Sequence, residues 1–156
     1  MILAHLPSGY LLARSAGYRR GLMLKMAFLG AILPDFDMIY FHAIDSSVHH
    51  HRFWPHIPAV WLVISAAVLA LAKWRRPAWV APLAILLAGV WLHLLLDSWA
   101  GDIMWLWPLS DRFFHVAEVP ATQSHWILSF LLHWTFLAEV VILAAAVILY
   151  FRRESP

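Results

Sequence analysis

No cysteine occurs among the 156 residues, and charged side chains make up only 13% of them. The first absence removes disulfides and thiolate metal sites together. Any bound metal must then be held by imidazole nitrogen and carboxylate oxygen, a donor set that points to zinc and admits manganese or iron. The second is about half the roughly 25% of an average soluble domain. It comes with 63% apolar residues and a mean hydropathy of +0.72, which place the chain in a lipid bilayer as a single membrane-embedded helical domain over 1–156. A basic n-region is also lacking, and His5 and Arg14 bracket an apolar run too short for the usual signal core, so the N-terminus is expected to be retained. Finally there is no continuous basic patch. The formal charge of +2 comes from small groups between apolar segments, which argues against a nucleic-acid partner.

What is present is a set of long apolar runs. Residues 57–72, 78–96 and 126–151 are long enough, or nearly so, to cross a hydrocarbon core of roughly 30 Å as helices. Residues 21–41 form a weaker fourth span, interrupted by Lys25, Pro34, Asp35 and Asp37, and 1–13 reads as a short, partly inserted helix. The expected fold is an all-α integral membrane bundle of about four transmembrane helices plus a short N-terminal one. Loop charge sets the orientation, because cytoplasmic loops collect Lys and Arg. Arg14, Arg19, Arg20, Lys25, Lys73, Arg75, Arg76, Arg152 and Arg153 then fall on one side, which makes the C-terminus cytoplasmic in an inner (plasma) membrane. His5, Asp35, Asp37, His49, His50, His51, His56, His93, Asp97, Asp102 and Asp111 fall near the opposite, outer face. The plainer alternative is that histidine and aspartate only mark helix ends.

Ten histidines are an unusual load for such a chain. His93 and Asp97 are four residues apart, so on a helix both project from one face and can hold one metal or bridge two. Gly89 continues that face and would admit a second helix at close range. Pro34-Asp35-Phe36-Asp37 places two carboxylates around one aromatic ring where proline ends or distorts a helix. One of them could bind metal while the other orients a ligand. The run His49-His50-His51-Arg52 followed by His56 supplies imidazoles and a guanidinium at the start of the next span, suited to metal ligation and capture of an anionic oxygen. Spacing around Arg52 favours His51 and His56 over His49 and His50. Arg112 is a second outer-side guanidinium.

These residues, taken in order, carry a resemblance. His5, Leu33-Pro34-Asp35-Phe36-Asp37, His51-Arg52 with His56, His93 with Asp97, and Leu106-Trp107-Pro108 resemble the YdjM-like inner-membrane metal-dependent hydrolase family over roughly residues 1–115. That family is in turn thought to be distantly related to the zinc-dependent phospholipase C and P1 nuclease group. The resemblance implies metal ligation by His5, Asp35 or Asp37, His51 or His56, and the His93/Asp97 pair, with Asp97 as a bridging carboxylate. The chain departs from the family pattern at Met38 and at Phe53-Trp54-Pro55-His56-Ile57. It also has no second His-x-x-x-Asp/Glu pair, so His115, Glu118 and His125 are substitutes by position only.

The leading functional expectation is a hydrolase cleaving a phosphoester or related ester bond in a lipid-like or interfacial substrate, with membrane lipids as surroundings. Asp97 or Asp37 would serve as base and Arg52 would offset charge. The alternatives are a metal transporter or sensor, which needs ligands at successive depths, and a non-catalytic membrane adaptor. Glu139 falls near the middle of 126–151, where a carboxylate needs a partner. A structural ion pair with Lys25 or Arg14 is expected there.

Overall fold

The computed structural model describes residues 3–44 and 50–152, with the side chain of His50 left aside; His49 lies outside the described residues. Among these residues the chain is helical: α1 (His5–Ser15), α2 (Gly21–Ile32), α3 (Asp37–Ala43), α4 (Pro58–Arg75), α5 (Val80–Ala100), α6 (Trp126–Leu131) and α7 (Phe136–Phe151). Short 3-10 turns at Pro34–Phe36, His50–Arg52, Trp54–His56 and Pro77–Trp79 link them, and three of the four begin on or contain a proline. An antiparallel bridge, Ile103 to Phe114, ties the segment after α5.

Among the described residues two helices meet the length and apolarity of a membrane span: α4, and α5 extended through its leading turn to Pro77–Ala100. Only 17% of the α4 window is buried inside the protein. Leu62, Val63 and Leu71 point outward from it. In water such an apolar face would be untenable, whereas against lipid it needs no partner.

The expected 21–41 span is broken. Pro34 lacks an N–H and its ring excludes helical continuation, so α2 ends at Ile32 after twelve residues, about 18 Å of rise. That is shorter than the hydrocarbon core, and the chain turns through Pro34–Phe36 into α3 instead. The expected 126–151 span is also not one helix. It is interrupted at 132–135, where the His133 ring nitrogen Nδ1 lies 2.9 Å from the Thr135 hydroxyl, a local bond that competes with the backbone ladder. Glu139 therefore sits in the first turn of α7 and not at mid-span. It is fully buried and accepts the backbone N–H of Leu3, while Lys25 stays on the exposed side of α2.

α5 is the scaffold. Its closest neighbour is α2, which α1 covers in turn. The helices approach because the crossing is made of residues without bulk. A Cβ at Gly30 would stand 1.9 Å from the Leu86 carbonyl oxygen, and one at Gly89 2.9 Å from both Ala27 O and Ala31 N. Gly9 does the same for α1, where a Cβ would meet that of Ala31 at 2.9 Å. Gly89 thus has the role its sequence position suggests, and Gly30 is its counterpart. Trp61, Leu87, Val90, Leu94 and Ile103 fill the core beside the crossing.

Candidate metal centre

The small-residue crossing sets where His93 goes. With α2 in backbone contact, the His93 Nδ1–H donates to the Ala31 carbonyl at 2.8 Å, which turns Nε2 toward Asp97 Oδ2, one helical turn on, at 3.0 Å. Both side chains are buried. The proline turn after α2 then brings Asp35 to the same point, with Oδ1 3.7 Å from His93 Nε2 and Oδ2 3.3 Å from His5 Nδ1. α1 delivers His5 flat against His93, ring centroids 3.8 Å apart, with Nε2 3.2 Å from Asp97 Oδ1.

The 3-10 turns before α4 supply the remaining imidazoles. His56 Nδ1–H donates to Asp37 Oδ2 at 2.6 Å, and His51 Nδ1–H donates to the Asp102 carbonyl at 2.9 Å. Their Nε2 atoms face Asp97 Oδ2 at 3.5 and 3.7 Å. Gly101 makes room for this, since a Cβ there would lie 3.0 Å from the His51 ring. The pattern is the same for His51, His56 and His93. Each imidazole is fixed through Nδ1 by an acceptor behind it, leaving Nε2 directed into the cluster, the arrangement by which second-layer acceptors orient metal-binding histidines.

The donors fit a divalent cation. Three overlapping groups have ligand atoms within 4.8 Å of one another: His5, His93 and Asp97; Asp35, His56 and His93; His51, His56 and Asp97. The His56 and His93 Nε2 atoms stand 3.3 Å apart, close to the edge of a tetrahedron with zinc–nitrogen bonds of about 2.0–2.1 Å. Two neutral imidazoles facing each other this way would oppose lone pairs in a buried space, so the geometry calls for a cation or a proton between them. His5 Nε2 is buried near Asp97 without the alignment of a hydrogen bond, a further donor aimed inward and left unsatisfied. Without metal, His56, which precedes the α4 span, is biased toward its protonated form. Burial opposes its charge, but the Asp37 hydrogen bond and the nearby Asp97 outweigh that and raise its pKa to about 9.

Six of the expected site residues therefore meet: His5, Asp35, His51, His56, His93 and Asp97. Asp37 is placed behind His56 and does not face the cluster. Arg52 is exposed, its guanidinium 5.3 Å over the Phe113 ring, and Arg112 is exposed as well. His115 pairs with Asp102 at 2.8 Å on the surface, and His125 accepts the Ile127 N–H at the start of α6. Sequence reasoning missed Gly30, Gly101 and the Ala31 and Asp102 carbonyls. Gly30 could have been suspected as a small residue in a helix of otherwise bulky ones, but backbone acceptors leave no mark in a sequence.

Fold and centre together define a helical membrane protein with a buried His/Asp cluster able to hold a metal ion. The chain belongs to the YdjM inner membrane protein family, whose profile matches residues 1–155. No curated protein and no solved structure matches it.

Proposed function

We propose that the protein is a membrane-bound metal-dependent hydrolase that cleaves a phosphoester or related ester bond in a lipid-like or interfacial substrate, with zinc as its first-choice ion. The observation that carries this reading is the common orientation of His51, His56 and His93, all anchored through Nδ1 and all turned on Asp97. A divalent cation held there would activate water at neutral pH and polarise the bond under attack. Asp97, with Oδ1 toward His5 and Oδ2 toward the other three histidines, is suited to bridge two ions. Asp37 is committed to His56, so its part is to fix that ring.

The general base is better assigned to Asp35 than to Asp97 or Asp37. Its side chain is 42% accessible, while those of Asp37 and Asp97 are 3% and 2% accessible. Water and substrate therefore approach past Asp35. Its carboxylate takes the proton as the water oxygen bonds to the electrophilic atom, and that proton leaves with the ester oxygen as the bond breaks. Arg52 supplies a cation to offset substrate charge.

The topology that accompanies this reading has α4 and α5 as full spans with the shorter apolar helices α2 and α7 embedded beside them, the C-terminus cytoplasmic and the centre toward the outer face of the inner membrane. A transporter would place ligands at successive depths. Residues 58–72 and 80–92 contain no ionisable side chain, which favours a site over a passage. Metal analysis of the detergent-purified protein, wild type beside His93→Ala and Asp97→Ala, tests the proposal. Stoichiometric metal in the wild type alone is expected, together with hydrolysis of a phosphoester panel that the variants lack. A metal-free wild type after equilibration with zinc, manganese and iron would sink it.

A further inference from the structure

Glu139 is a fully buried ionisable group to which the proposed chemistry gives no part. It lies on α7, which contributes no side chain to the cluster, and its carboxylate accepts the N–H of Leu3, two residues ahead of His5. Three observations explain why a carboxylate is held there. Helix α1 is preceded by Ala4 at its N-cap, which has no side chain able to cap it, so the entry of the chain into α1 is fixed by contacts from other elements, of which the Leu3 N–H to Glu139 is one. Glu139 stands in the first turn of α7 and at the start of α1 together, next to the positive ends of two helix dipoles. Ala4 is fully buried, and its carbonyl receives the Ser8 hydroxyl at 2.6 Å, so the backbone between Leu3 and His5 has little freedom once Leu3 is tied.

We propose that Glu139 is a positioning residue: by tying the Leu3 backbone to α7 it sets the start of α1 and thereby holds His5 against Asp97 and His93. His5 is the first residue of α1, directly after the segment that this contact ties down. The other five are carried by α5 or by the turns on either side of α3, and they do not depend on α7. This rests on the metal-centre reading for its consequence, but the positioning itself is a property of the folded chain with or without metal.

The test uses the full-length protein in detergent and two readouts. In the metal-free protein, diethylpyrocarbonate labelling mapped by mass spectrometry should spare the buried His5, His56 and His93 of the wild type. In Glu139→Ala, His5 should become labelled at least tenfold faster while His56 and His93 stay protected, which also shows that the bundle has kept its fold. Glu139→Gln retains an acceptor oxygen and should restore most of the protection. Leu3→Pro removes the donor instead of the acceptor, ahead of the helix where proline is tolerated, and should reproduce the Glu139→Ala pattern. The second readout is Co(II) binding and its visible spectrum. Glu139→Ala should weaken binding by roughly 10-fold, the lower end of what loss of an outer-layer partner costs, and shift the spectrum. In a His5→Ala background the same change should do nothing further.

Unchanged His5 labelling in both Glu139→Ala and Leu3→Pro would overturn the positioning role, as would additive losses in the double variant. Should Glu139→Ala unfold, Leu3→Pro decides. A wild type that takes up no Co(II) would defeat the metal-centre reading and leave the labelling result to stand for or against Glu139 by itself.

Discussion

α4 and α5 are nearly alike as sequences: long, apolar, opened by proline-containing turns and free of acidic residues until Asp97. In the fold they differ sharply. α4 shows most of its side chains outward, with 17% of its span buried against 39% for α5, and touches the protein chiefly along one edge of α5. α5 packs on α1, α2 and α4 and carries two members of the centre. Hydropathy makes both of them membrane helices because transfer energy counts atoms and ignores where they point. What separates them is a stripe on α5, Gly89, His93 and Asp97, each four residues from the last. The small residue lets a backbone approach, and that backbone's carbonyl then orients the histidine.

The comparison breaks most completely at the centre. Asp97→Ala removes the one carboxylate that faces four histidines, and metal retention through gel filtration should fall by a factor of 100 or more. Gly30→Ala comes next. Its Cβ cannot be placed against the Leu86 carbonyl without parting α2 from α5, so a loss of about 1–3 kcal/mol in detergent unfolding is expected, with weaker metal binding because His93 loses its anchor. A Gly30→Ala protein of wild-type stability would show that the crossing is looser than described. Asp37→Asn leaves the cluster atoms untouched but weakens the hold on His56. Metal affinity measured against a competing chelator should drop by roughly 10- to 100-fold.

A smaller effect comes from pH. His56 is raised from its ordinary 6.5 to about 9 in the metal-free centre, so its contribution to the stability of that state is complete below 6.5 and is lost as pH climbs through 9. A metal must displace the same proton. Apparent affinity should therefore rise with pH across the interval from 6.5 to 9, by up to about tenfold per unit, and level off above it. A flat profile from 6.5 to 9 would mean that His56 is not a ligand. The smallest change belongs to α4: Val63, which is 68% exposed, should tolerate Val63→Ala within about 0.5 kcal/mol and with unaltered metal content.

Much of the centre was legible in the sequence. His93 and Asp97 share a helix face by spacing alone, and His51 and His56, the imidazoles that the spacing around Arg52 favours, both face Asp97, while the side chains of His49 and His50 lie outside the described residues. The Asp35/Asp37 pair offered one carboxylate to bind metal and one to orient a ligand, with both open as metal ligands and Asp37 as a base. The turn at Pro34–Phe36 decides between them, pointing Asp35 at His5 and His93 and placing Asp37 at the back of His56. The spans were less legible. Apolar composition runs on through Pro34 and through 132–135, so a hydropathy reading joins what the backbone divides. Glu139 was misplaced in consequence, because its depth was counted along a helix that does not continue.

The sequence by itself determined that the chain is helical and built for a membrane, and that any metal must be met by histidine and aspartate, because composition and helical periodicity are local properties that no tertiary contact can reverse. Only the tertiary structure decided which donors meet. Ligand atoms a few ångströms apart come from residues as distant as His5 and Asp97, and their directions are fixed by backbone carbonyls at Ala31 and Asp102 and by room left at Gly30, Gly89 and Gly101. Those are matters of close approach between elements, which exist only after the helices have packed.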